Sequence, residues 1–430
     1  MKHVKCGLFV AGAMLCTTGA YAVDTEAQIY GRLAVQGVFN RDSVNNGFSV
    51  QDGFSYFGLK GRDRIYENSY LIWQIENFLN LSTGEPYAKT TGGSFITTKP
   101  GTGSGSANSV GHQTASVNTF ASSDTFIGLQ GLWGEFRFGN LSNTFRTNTG
   151  SIDIFSGNGS AGYQNYDNVM NILPGTVKYN SPTWGGFNFI AFYTPNNVGA
   201  VFNDSLTDAN TLLDTGATNG YYGYGVYGGG LSYSLSNLEF TYNLQVINNV
   251  GEYKGAGVGM SVNKDFQVNP FTAWAQRFEA GWQDPTGMIL GFGAQITNGY
   301  AYSGWAGNFG SSSAAAAPQF AKYKSANQVQ TAETGLSFGW HIGQWTPKIS
   351  YIMGTNLMAN QTNVMMNTLS LQNEMSGTGY QQALAELDWS ITPRTIAFVG
   401  AGQIWWGGNA TSSGWQSNQG TATVGFSHVF

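Results

Sequence analysis

Apolar and polar residues alternate along this chain in repeated short runs, and the apolar parity is the aromatic one. Phe240, Tyr242 and Leu244 fall on one face while Glu239, Thr241 and Asn243 take the other. Trp274, Phe278 and Trp282 oppose Arg277 and Glu279, and Leu336, Phe338 and Trp340 oppose Glu333 and Ser337. A period of two is that of an extended strand. In a soluble barrel or sandwich the face turned to water would be the polar one, backed by a packed apolar interior. Here charged residues make up only 10% of the chain, against about 25% in ordinary soluble domains, too few to clothe a soluble surface. Aromatics reach 14% and glycine 60 residues. Beyond the first residues there is no run of about 18 consecutive apolar residues to form a spanning helix. The combination predicts an all-β, transmembrane antiparallel β-barrel, with lipid against the aromatic face and water against the polar one.

Residues 1–22 read as a secretion leader. Lys2 and Lys5 precede the apolar stretch Gly7 to Cys16, and Ala20-Tyr21-Ala22 has the small-x-small pattern of a cleavage site. The apolar stretch is too short to span a bilayer. The barrel is expected over residues 23–430, in the outer membrane. Both cysteines, Cys6 and Cys16, lie in the leader, so no disulfide or thiolate chemistry is expected beyond it.

Sixteen strands can be read between short turns and long polar segments, beginning with Gln28–Asn40 and Gly53–Arg62 and ending with Gly420–Phe430. Gly255–Lys264 is also weakly strand-like through Val258, Met260 and Val262. Counted alone it would break antiparallel closure, so it is read as loop; with a second missing strand the alternative is eighteen. The stretch Val424-Gly425-Phe426-Ser427-His428-Val429-Phe430 is expected to close the sheet by pairing with Gln28–Asn40, because an open ladder is untenable in lipid.

No constellation of residues points to catalysis, so no enzyme is expected. Phosphate-loop, His-Glu-x-x-His and Gly-x-Ser-x-Gly motifs are absent. His3, His112, His341 and His428 are scattered, so no metal site is expected, nor any cofactor. No nucleic-acid partner is expected of a chain with net charge -5. What the polar faces do carry is segregated charge. Arg32, Lys60, Arg62, Arg137 and Lys178 lie on early strands, and Glu239, Glu279, Glu333, Glu386 and Asp388 on later ones. Like charges on adjacent strands repel unless a counter-charge or a permeating ion offsets them. The long segment Leu141–Pro174 supplies Asp153 and Asp167 together with Ile152, Ile154, Phe155, Tyr163, Tyr166 and Met170. Such apolar content predicts that it packs on something, either folded into the lumen opposite the basic wall or laid over it as an outer lid.

Short motifs in order then match a family. Ile29-Tyr30-Gly31-Arg32, Tyr56-Phe57-Gly58-Leu59-Lys60-Gly61, Phe126-Ile127-Gly128-Leu129, Phe138-Gly139-Asn140, Val177-Lys178-Tyr179-Asn180-Ser181-Pro182 and the closing Val424–Phe430 resemble the general, non-specific porins of Gram-negative outer membranes, in particular the Neisseria and Burkholderia branch. The resemblance implies sixteen strands, a homotrimer and a third loop folded into the lumen. It implies passive diffusion of small hydrophilic solutes and ions, contact with outer-membrane lipid and lipopolysaccharide, and a terminal Phe430 read by the barrel assembly machinery. Arg32, Lys60 and Lys178 look like the family's lumen-facing basic positions. Asn140 stands where relatives often carry arginine, and the third loop lacks the acidic-rich motif of some relatives. Two other readings of such a barrel are a substrate-specific porin for a sugar or organic anion, suggested by Tyr30, Tyr56, Tyr70 and Phe126 on the polar parity, and a plugged structural or adhesin barrel.

Overall fold

The computed structural model describes residues 25–41, 46–82, 121–150, 152–156, 166, 169, 172–195, 221–253, 271–298, 326–363, 368–408 and 418–430. The leader, Gly255–Lys264 and Asp167 lie outside the described residues. Nineteen hydrogen-bonded segments form one sheet, all of whose pairings are antiparallel. Three neighbouring pairs of segments are single strands with a break, which leaves sixteen staves. They are β1 (Thr25–Arg41), β2 (Asn46–Asp52 continuing in Ser55–Tyr66), β3 (Ser69–Leu79), β4 (Thr125–Gly131), β5 (Gly134–Ser142), β6 (Ile172–Asn180), β7 (Phe187–Thr194) and β8 (Tyr221–Leu235). Then follow β9 (Leu238–Tyr253), β10 (Phe271–Gln283), β11 (Met288–Asn298), β12 (Ala326–Trp340), β13 (Trp345–Gly354 continuing in Leu357–Asn363), β14 (Thr368–Met375 continuing in Tyr380–Thr392), β15 (Thr395–Trp406) and β16 (Gln419–Val429).

Each stave pairs with its sequence neighbours, and β16 pairs with β1 from Arg32 opposite Val429 to Arg41 opposite Gly420. The closing register is continued by Phe430, whose amide donates to the Gly31 carbonyl (3.1 Å) and whose carbonyl accepts from the Gly31 amide (3.2 Å). Among the described strands no edge is left to lipid, which has no hydrogen bonds to offer an exposed ladder. The sixteen strands match the sequence reading, and the breaks are what that reading did not contain. At the first break Phe54 adopts a φ of 64°. The Ser55 hydroxyl takes over the interrupted rung, accepting from the Ala34 amide at 2.9 Å and donating to the Ala34 carbonyl at 3.1 Å. In the break of β13 and β14, the Asn356 side-chain oxygen accepts from the Thr378 and Gly379 amides, and the Thr378 hydroxyl accepts from the Leu357 amide.

Directly opposed residues of an antiparallel pair share a face. One face can therefore be traced around the barrel: Arg137 opposite Lys178, Gly230 opposite Asn243, Asn243 opposite Arg277, Arg277 opposite Gln295, Gln295 opposite Glu333, and Lys348 opposite Glu386. These positions are mostly buried. The other parity, with Ile29, Leu33, Ile127, Phe136, Phe278, Leu336, Ile349 and Val424, is exposed and apolar. The inversion settles the direction: polar inward, apolar outward. His428 sits on the outward parity opposite Leu33, where its Nδ1 shares a hydrogen bond with the Thr395 hydroxyl (2.9 Å).

Gly31 is a tight point of the seam. A Cβ there would stand 2.6 Å from the Phe430 ring and 2.7 Å from the Tyr56 carbonyl. The carbonyl belongs to the ladder and cannot give way. Gly31→Val is expected to destabilise the closed barrel by about 1–3 kcal/mol, as overpacking does elsewhere. The check is the thermal unfolding midpoint of the detergent-solubilised protein. An unchanged midpoint would mean that the seam yields more readily than this packing allows.

Candidate functional site

The described residues of the segment between β5 and β6 bond to inward-facing groups of several strands. The segment begins with the single helical turn α1 (Thr144–Thr147). Phe145 is fully buried in an internal apolar cluster with Val169, Leu173, Phe192, Val226, Ile247, Ala273 and Ala275. None of the apolar residues singled out in the sequence belongs to this cluster; of those, Ile152 and Tyr166 are buried elsewhere. From there the described residues run along the inward faces of successive strands. The Thr144 hydroxyl donates to the Gly229 carbonyl, and the Asn148 amide group donates to Asn243 at 2.9 Å. The Gly150 amide donates to the Glu279 carboxylate, and the Ser337 hydroxyl to the Ile152 carbonyl. Gly293 leaves the room this requires: a Cβ there would collide with the Tyr166 hydroxyl. At its far point Ser156 bonds two strands at once, β14 and β1. Its amide donates to Glu386 (2.7 Å), its hydroxyl to Asp388 (2.5 Å), and its carbonyl accepts from Arg32 Nη2 (2.8 Å).

Two buried ionic clusters underlie this wall. Arg277, among the largest fully buried side chains, donates to Gln295 (2.9 Å) and to the carbonyls of Phe145 (3.3 Å) and Tyr166 (2.5 Å). Its guanidinium lies 3.8 Å from Glu279. Lys348 bridges Glu386 at 3.1 Å and Asp388 at 2.6 Å. Thus Glu279, Glu386 and Asp388, expected to face the basic strands, have cations of their own beside them. Lys348 was missed in the sequence, although it shares its parity with the polar Thr346 and Ser350.

The wall formed by β1–β5 looks different. Lys60 is exposed, with its ammonium 4.8 Å from the Tyr30 ring centre. Arg62, also exposed, pairs with Glu26 at 2.8 Å and lies 5.1 Å from the Tyr70 ring. Arg137 is half-buried, pairs with Glu135 at 2.5 Å and lies over Phe126 at 4.6 Å. Arg146 reaches across from α1 to the Phe78 ring at 5.0 Å. Arg32 is half-buried, with Nε on the Ser427 hydroxyl at 2.9 Å. Its electrostatic neighbours include Asp52, Asp153 and Glu386.

The residues singled out in the sequence therefore separate. Arg32, Lys60, Arg62 and Arg137 share the β1–β5 wall. Lys178 does not stand with them in open lumen. It is 3% exposed, and its ammonium donates to the Ser142 carbonyl (3.1 Å) and the Thr147 hydroxyl (2.9 Å), holding the root of the segment. Asp153 is exposed, and one oxygen accepts weakly from the Phe155 amide at 3.3 Å. It sits three residues before Ser156, on the β13–β14 side.

Removing the cation from the Lys348 cluster leaves two buried carboxylates. Lys348→Met is expected to cost about 3–5 kcal/mol, the usual effect of orphaning a buried charge. Adding Glu386→Gln and Asp388→Asn should recover most of it. Chemical unfolding midpoints check this; a midpoint unmoved by Lys348→Met would show that the cluster is hydrated.

No family model matches the chain. Among curated proteins it is similar to the major outer membrane protein P.IB of Neisseria sicca, 23% identical over 388 residues that cover 89% of this chain and 85% of the relative. A major outer membrane protein P.IA of Neisseria meningitidis serogroup C is 23% identical over 404 residues, covering 89% and 84%. Among solved structures, the anion-selective porin from Comamonas acidovorans aligns with a TM-score of 0.58 at 13% identity, covering 95% of this chain and 100% of that one. OmpF of Salmonella typhi, solved with daunomycin, aligns with a TM-score of 0.55 at 15% identity, covering 94% and 97%. Sequence similarity along nearly the whole chain and the closed sixteen-stave barrel agree: this is an outer-membrane β-barrel of porin architecture, similar to the Neisseria major outer membrane proteins.

Proposed function

We propose that the protein is a passive diffusion channel for small hydrophilic solutes and ions, with the segment from Asn143 to Ser156 as its constriction. The observation that carries this reading is the asymmetry of the inward face. One side is covered by the segment and its charges are buried, whereas the β1–β5 side presents an exposed Lys60 and half-buried Arg32 and Arg137. Solutes then pass between the segment and that wall, sieved by width and by the local field. Arg32, Lys60, Arg62 and Arg137 supply the basic side, and Asp153 stands on the segment; Asp167 is proposed to join it.

The cations that have no ion pair among the described residues on this side favour anions. The name of the Comamonas acidovorans neighbour, an anion-selective porin, is in keeping with that preference. A homotrimer is proposed by analogy with the trimer form of Vibrio cholerae OmpT. The apolar outward belt would meet outer-membrane lipid and lipopolysaccharide. The barrel assembly machinery would read Phe430.

Two measurements test the reading. In planar bilayers under a salt gradient, Arg32→Ala with Lys60→Ala is expected to lower the anion-to-cation permeability ratio roughly twofold or more at low salt. The effect should fade near 1 M, where the Debye length falls to about 3 Å. Unchanged selectivity would remove these residues from the passage. Separately, Phe430→Ala should lower the yield of folded protein in the outer membrane several-fold; a normal yield would refute the role of that ring in assembly.

A further inference from the structure

We infer that the β1–β5 wall binds aromatic carboxylates in transit, so that among anions of equal charge and size those with a flat ring pass preferentially. This rests on the channel reading above and adds a substrate class to it. The basis is the regular seating of cations on aromatic rings along this wall. Lys60 lies 4.8 Å from the Tyr30 ring, Arg137 4.6 Å from Phe126, Arg62 5.1 Å from Tyr70 and Arg146 5.0 Å from Phe78. The Tyr30 and Tyr56 rings are 6.1 Å apart and tilted by 60°, a spacing that joins neighbouring pairs into one surface. Arg32 and Arg146 act electrostatically on Tyr56. Each of Tyr30, Tyr56, Tyr70, Phe78 and Phe126 is half-buried, so part of each ring remains open to the lumen.

The surface runs along the passage rather than around it. Arg62 and Tyr70 lie near the short turn between β2 and β3, while Tyr56 pairs with Phe78 beside the segment that carries Arg146. Tyr56 and Arg62 are separated by about 20 Å at roughly 3.3 Å per residue. A solute that leaves one cation–ring pair therefore meets the next before it is free.

Glu26 and Glu135 already neutralise Arg62 and Arg137. Glu76 accepts hydrogen bonds from the Tyr30 and Ser123 hydroxyls, one on each oxygen. Asp124 is held by the Ser142 amide and hydroxyl, and Asp52 by the Ser55 and Leu81 amides. Asp153 lies on the facing segment. Among the described residues Arg32, Lys60 and Arg146 have no carboxylate within salt-bridge distance, so their outward N–H groups can take a carboxylate. A carboxylate alone uses only the charge. A carboxylate on a ring also gains a stacking contact with Tyr30, Tyr56 or Phe78, while an aromatic cation would be repelled by the same residues.

The test compares benzoate with cyclohexanecarboxylate, which match in charge and nearly in size but differ in the π face. Permeability ratios to chloride are measured from reversal potentials of the purified full-length protein in planar bilayers. For the native chain benzoate should exceed cyclohexanecarboxylate by about three- to tenfold, the range of one aromatic contact. Tyr30→Leu with Tyr56→Leu should reduce that preference to near one while chloride conductance stays within about twofold. Tyr30→Phe with Tyr56→Phe, which keeps the rings, should retain it, a result that a general disturbance of the wall would not give. Equal permeability of the two anions in the native channel overturns the inference and leaves the channel reading intact; so does a preference that survives loss of both rings. A chain that inserts but conducts no chloride overturns the channel reading itself.

Discussion

Everything in this structure depends on backbone hydrogen bonds that lipid cannot supply. An unsatisfied amide or carbonyl in hydrocarbon costs several kcal/mol, so the ladder must return on itself. The seam between β1 and β16 does this, and Gly31 with Phe430 completes it. Where the ladder is broken, side chains restore the missing rungs. Ser55 serves both the amide and the carbonyl of Ala34. Asn356 and Thr378 stitch the break between β13 and β14. These are short polar side chains, able to imitate a backbone group at close range.

The same accounting explains how an irregular segment can lie against the inward wall. Outside a ladder, its amides and carbonyls need other partners. The wall provides them in matched kind. Arg277 and Ser337 donate to the carbonyls of Phe145, Tyr166 and Ile152, while Glu279 and Glu386 accept from the amides of Gly150 and Ser156. The inward face of β10–β14 is therefore shaped to the backbone of the segment, and its charges are spent there before any solute arrives. Phe145 and its apolar neighbours add a small core that anchors the start of the run.

The strands and their faces were legible because alternation is local and repeated. Glu239, Thr241 and Asn243 against Phe240, Tyr242 and Leu244 state the orientation of β9 without reference to any other strand. The breaks were not legible. Read from the sequence, the second strand starts at Gly53, and only the pairing of Asn46–Asp52 with β1 shows that the strand begins earlier and is interrupted there. The fate of Lys178 was also hidden. Its parity gave the inward face correctly, but its burial comes from Ser142 and Thr147, which reach it only once the chain has turned at α1. Parity tells which side of the wall a residue occupies and says nothing about what lies over it. Lys348 shows the converse: its position was regular, and its partnership with Glu386 and Asp388 required knowledge of which strands are neighbours.

Pairing of charge then becomes a record of where water runs. On the covered side the ion pairs are almost dry: Arg277 and Glu279 keep 1% and 0% of their side chains exposed, Lys348 and Asp388 6% and 5%. Desolvation makes an isolated charge untenable there, so partners are obligatory. On the β1–β5 side the requirement lapses. Lys60 is exposed and rests on a ring rather than a carboxylate, while the Arg62–Glu26 pair, at 46% and 66% exposure, is screened by water. Lys178 marks the border between the two regimes. It is buried, its direct partners are a carbonyl and a hydroxyl, and the carboxylates of Asp124 and Glu135 act on it from beyond hydrogen-bond range. A cation held in that way needs water or a carboxylate close by, and it has the second. Arg32 and Lys60, which have no carboxylate within salt-bridge distance among the described residues, are therefore cations that the solvent can serve, on the β1–β2 side of the barrel.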